Sequence, residues 1–192
     1  MGGGWLVTGG SDGGLLSSAV LYSNGAWHDY ASMPDSVKRH CQVTVGNEVF
    51  VIGGLNGDGP VSTVYKLSHG IWFKFSSLKT RRWGHMCSVL GGTIYVMGGV
   101  GNYLNSTELL RHGSNEWVPG PPLPGPVYHG QSVIHNKTLL VIGGESSSDV
   151  SNTNIYRLDG DHWVTEETSL DDPNRHVFPA PLLSSRDLNC VE

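Results

Sequence analysis

Apolar positions along this chain gather in short runs that stop at a pair of glycines. WLVTGG ends at Gly10, VFVIGG at Gly54, IYVMGG at Gly99 and LLVIGG at Gly144. Each run is of strand length and lacks the 3.6-residue period of a helix. In the later copies a further run precedes it, as in His85–Leu90, across a turn such as Gly46-Asn47 or Gly91-Gly92 that suits a two-residue hairpin. After the glycines come a polar loop, a third run (Ser106–Arg111 in one copy) and a short strand around a tryptophan. The pattern predicts four short antiparallel strands per copy.

Taken alone, the stretch Gly92–Gly101 (GTIYVMGGVG) looks like a strand entering a phosphate-cradling loop. A dinucleotide fingerprint needs a third glycine that opens a helix, but Leu104 stands there and no helical pattern follows. No Gly-Lys-Ser/Thr occurs, so a P-loop is excluded as well. The glycine pairs instead recur at intervals of 44, 45 and 45 residues. Trp27, Trp72, Trp117 and Trp163 keep step with them, and His40, His85 and His129 stand 13 or 14 residues before the first glycine of a pair. Repeats of this length, built of strands, point to the blades of a β-propeller. Gly9, Gly10, Gly53, Gly54, Gly98, Gly99, Gly143 and Gly144 then have structural work, as do the four tryptophans. The glycines permit positive φ and close approach, and the rings pack blade on blade.

The arrangement resembles the kelch repeat. The second unit carries Arg39-His40, Gly53-Gly54, Tyr65 and Trp72, and the fourth has His129, Gly143-Gly144, Tyr156 and Trp163. The third has Arg82, His85, Gly98-Gly99 and Trp117, with Leu110 read in the tyrosine's place. The first has Gly9-Gly10, Tyr22 and Trp27 but no first strand of its own. The resemblance implies an all-β propeller over residues 1–192, with four blades of four strands. The blades are expected at 4–30, 38–75, 83–119 and 127–166. The segment 174–183, which holds His176, is expected to supply the missing strand of the first, Pro179 and Pro181 both facing a free edge. A closed ring of four blades and an arc of a larger ring both fit this reading.

Composition narrows the partner. A net charge of −5 lacks the cationic footprint of a nucleic-acid binder, and no apolar run reaches membrane-spanning length. The opening MGGGWL has no basic n-region, and Leu6 stands where a myristoylation signal needs Ser or Thr. Cys41, Cys87 and Cys190 show neither a disulfide framework nor a C-x-x-C pair. A reducing, cytoplasmic location is therefore expected, with the sequons at Asn105 and Asn136 unused.

The histidines are expected to bond within and between blades, since no HxH, HExxH or carboxylate cluster accompanies them. No catalytic residue, metal or cofactor is expected. The alternative implied by the resemblance is a kelch-type enzyme such as a copper oxidase, which needs a non-repeating Tyr, Cys and His constellation. Variation lies in the loops after the glycine pairs and in the links between blades, which emerge on one face. Arg39, Arg81, Arg82, Trp83, Tyr103, Tyr128 and Arg175 are the guanidinium and aromatic groups there, the types that anchor interfaces. The expected function is non-enzymatic binding of another protein. The resemblance implies a substrate receptor of a cullin ubiquitin-ligase adaptor, or an actin-binding protein.

Overall fold

The computed structural model describes residues 4–101, 104–147 and 150–166. They form strands, turns and loops, with no helix among them. Trp5–Thr8, Ala19–Ser23 and Ala26–Tyr30 make a three-stranded sheet. Three four-stranded antiparallel sheets follow. The first of them is Cys41–Val45, Glu48–Ile52, Val64–Ser68 and Ile71–Phe75. Next come Met86–Leu90, Thr93–Met97, Thr107–Leu110 and Trp117–Gly120. The last is Gln131–His135, Thr138–Ile142, Ile155–Asp159 and His162–Thr165. Strands pair in chain order within each sheet, as a propeller blade requires. The strand expected at 174–183 lies outside the described residues.

Hydrophobic burial occurs between sheets. Met33 and Val37 in the first link meet Val51 and Tyr65 of the second unit. Phe50, Ile52 and Val64 meet Ile94, Val96 and Trp117 of the third. Met86 and Met97 meet Leu139, Val141 and Trp163 of the fourth. Each buried Val or Ile at these joints contributes about 1.5–3 kcal/mol. Trp72 Nε1 donates to Ala31 O (2.7 Å) and Trp117 Nε1 to Ser76 O (2.8 Å), so each ring also ties its unit to the link before it. The first unit has no preceding sheet among the described residues. Trp27 is accordingly 53% exposed and Trp5 71%, where Trp117 is 1% exposed. Trp27 leans on Tyr22, which stacks with Trp5, rather than filling a joint.

The glycine pair is an inter-blade hinge pin. Gly10, Gly54 and Gly99 each donate N–H to a carbonyl of the next link, on Val37, Arg82 and Val127, at 2.8 Å. A Cβ on the first glycine would lie 2.5, 2.8 and 2.1 Å from those same oxygens at Gly9, Gly53 and Gly98. Their φ of 58°, 59° and 64° also favours glycine.

Register corrects three sequence expectations. Tyr65 pairs with Val51 and Tyr156 with Val141, and the residue across from the equivalent Val96 is Glu108. Glu108, not Leu110, therefore holds the tyrosine's place in the third unit. The histidine series also breaks. Gly84 N–H donates to Arg39 O and His129 N–H to Gly84 O, which sets Arg39, Gly84 and His129 in register. His129 thus matches Arg39, and Gly130 occupies the position of His40 and His85. Thirdly, Cys41 and Cys87 do pair: they form a disulfide between the innermost strands of units two and three, with Cα atoms 6.0 Å apart. The spacing of the cysteines gave no sign of it, because the partners belong to different copies of the repeat.

Candidate functional site

Three link residues occupy equivalent places on the loop face. Lys38, Trp83 and Tyr128 exchange backbone hydrogen bonds with Leu55, Val100 and Glu145, the residues just after each glycine pair. Link and loop are thereby held to the rigid sheets. The following position, at Arg39, Gly84 and His129, has φ of 53°, 61° and 54°. Such a conformation costs about 1–2 kcal/mol for a residue with a Cβ. The third unit has glycine there, and a Cβ would strike the His129 ring at 2.7 Å.

This backbone course brings side chains together across units. The exposed Arg39 guanidinium sits 4.7 Å from the half-buried Trp83 ring, within cation–π range. His129 lies 5.4 Å from Trp83 and Tyr128 lies 6.4 Å from it. Glu145 accepts from Tyr128 Oη (2.7 Å), and its other oxygen is 3.5 Å from His129 Nδ1. The result is a cluster of tilted rings spanning three units, with an exposed guanidinium at one end. Arg81 is exposed beside it.

Arg82 is a correction to the expected binding set. It is 0% exposed and pairs with Glu108 Oε1 at 2.9 Å. It also donates to Gly98 O (2.7 Å), Ser106 O (3.1 Å) and Ser106 Oγ (3.1 Å). Glu108 in turn accepts from the backbone N–H of Lys79 (2.6 Å) and Thr80 (3.1 Å). In the second unit Tyr65 reaches its link by donating to Asp35, so Glu108 does the tyrosine's task with a carboxylate. Tyr128 is also buried and supports the cluster more than it displays itself. Tyr103 and Arg175 lie outside the described residues. Sequence reading missed Lys38, His129 and Glu145 as members of the face. The signal for His129 was its distance of 14 residues to the glycines, where His40 and His85 stand at 13.

His40 and His85 serve the joints. Their Cε1 atoms lie 3.1 and 2.8 Å from where a Cβ would stand on Gly9 and Gly53 of the preceding unit. His85 is buried, and neither ring nitrogen has a hydrogen-bond partner among the described residues. Burial first, then the Arg82 charge and His40, hold its pKa down to about 3. His40 is lowered too, again by burial.

The chain resembles known proteins in sequence and in shape. A family model described as the kelch motif matches residues 38–78 and 81–124. No curated protein matches by sequence. A solved structure titled "Structure of YjhT" superposes with a TM-score of 0.72 at 16% identity. The match covers 86% of this chain and 66% of that one, so the present chain spans just under two thirds of its structural neighbour. The second and third units carry the matched motif, and the flanking units repeat its glycine pair and tryptophan. The second and third units are therefore kelch motifs, and the chain folds as a β-propeller.

Proposed function

We propose that this chain is a non-enzymatic protein-binding module that takes its partner on the loop face. Kelch propellers are generally protein-interaction modules, and the observation that supports this face is the cluster of Arg39, Trp83 and His129. Cation, aromatic ring and imidazole are presented on backbone fixed by paired hydrogen bonds, so little conformational freedom is lost on binding. Aromatic and guanidinium groups so placed are the usual hot spots of interfaces. Within this class the reading is a substrate receptor of a cullin ubiquitin-ligase adaptor, with actin binding as the runner-up.

Affinity capture with identification of bound proteins tests the assignment. Arg39→Ala combined with Trp83→Ala should lower capture of the partner at least tenfold, while Asn136→Ala on the opposite face should not. Circular dichroism confirms that both variants fold. Unchanged capture by the double variant would refute the assignment to this face. Sedimentation with filamentous actin separates the runner-up, and stoichiometric copper or zinc in purified protein would overturn the non-enzymatic reading.

A further inference from the structure

The repeat is broken on the opposite face as well, and there the break creates a cleft. Third and fourth strands are joined by Asn24-Gly25, His69-Gly70 and Gly160-Asp161 in the first, second and fourth units. In the third unit the pair Leu110 and Trp117 is joined by the longer loop 111–116. That loop overhangs the joint with the second unit. His112 rests over the Gly91-Gly92 turn, its Cβ 3.5 Å from where a Cβ on Gly92 would be. Beneath lies a cleft of about 420 Å³, within the range of small-molecule sites and larger than the 280 Å³ cleft between units three and four.

Its lining is of two kinds. Phe50 and Phe75, in edge-to-face contact at 5.6 Å, form an apolar floor with Ile94 and Leu110. Lys66 lies 5.5 Å from the Phe75 ring, but its charge is matched by Glu48 at 2.9 Å. Arg111 at the wall is exposed and has no ion pair among the described residues. The unmatched charge of the cleft is therefore positive, and it stands beside an aromatic floor.

We propose that this cleft is a second binding site, taking a small aromatic acid. The ring lies on Phe50, Phe75 and Leu110, and the acid group pairs with Arg111. The site is independent of the loop face and of any protein bound there.

Two fluorescent probes that share an aromatic body test this directly. Anilinonaphthalene sulfonate carries one anionic group, and N-phenyl-1-naphthylamine carries none. The sulfonate should bind saturably at one site per chain. Arg111→Gln should weaken it roughly tenfold, as loss of a charge-assisted contact does, and leave the neutral probe unchanged. Asn47→Trp, an exposed turn substitution that fills the mouth, should block both probes. Near-ultraviolet circular dichroism confirms native packing in each variant. Equal effects of Arg111→Gln on both probes, or none on either, would overturn the assignment. So would full binding to Asn47→Trp, which would place the probe elsewhere, such as on the exposed Trp5 and Trp27.

Discussion

Arg82 and Glu108 show how one unit can meet a shared structural demand with different chemistry. The positions equivalent to Arg82 are Val37 and Val127, and those equivalent to Glu108 are Tyr65 and Tyr156. Removing one member of a buried ion pair strands the other charge, at a cost of about 3–5 kcal/mol. Arg82→Val and Glu108→Tyr should each lose about that much. The double variant restores the pairing used by units two and four, and should recover most of the loss, a strong departure from additivity. Urea unfolding of the four proteins reads the cycle, and additive losses would show that the pair acts through something other than mutual neutralisation. His85 gives a pH signature at the same scale. Its pKa is about 3 in the fold and near 6.5 when unfolded, so below 6.5 the unfolded chain takes up a proton that the native chain refuses. Stability is whole above pH 6.5 and falls with acid until about pH 3. Between pH 6.5 and 5 the loss from this residue is about 2 kcal/mol, and His85→Gln should remove that part of the slope. A variant with an unchanged slope would mean that His85 is not the group held neutral.

Elements were legible because their signals are local. A strand run, a glycine pair and a spaced tryptophan mark every unit, and the four sheets stand where those marks predict. Most of the loop face was legible for the same reason: Arg39, Arg81 and Trp83 lie in links that the pattern sets apart. What escaped was register. A one-residue difference in spacing moves a side chain to the other side of the backbone, and it separates His129 from the joint histidines and delivers it to the face. Arg82 read as exposed because arginines seldom lie wholly inside. Its burial depends on Glu108, whose role as stand-in for a tyrosine appears only once strands are paired. The Cys41–Cys87 bond had no local signal, since each partner fits its own strand without the other.

At the scale of the molecule, units cooperate only with their neighbours, so stability should vary from unit to unit. The third unit is packed on both sides, whereas among the described residues the first has three strands and exposed tryptophans. Amide hydrogen exchange should be slowest in Thr93–Met97 and markedly faster in Trp5–Thr8. Equal protection of the two would show that the face of the first unit is covered. The innermost strands carry a second kind of variation. Gln42, Cys87 and Ser132 occupy one register position, each turned toward the preceding unit. Gln42 meets Thr8 Oγ1 (2.7 Å) and Leu6 O (2.9 Å), Cys87 bonds Cys41, and Ser132 meets Ser88 Oγ (2.8 Å) and Cys87 O (3.1 Å). Near-identical repeats risk docking in the wrong order as they fold. Here each seam has its own lock: an amide, a sulfur bridge and a hydroxyl pair. A shuffled chain could keep every glycine and tryptophan and still bring a thiol to a hydroxyl, so the order of the units is written into their edges.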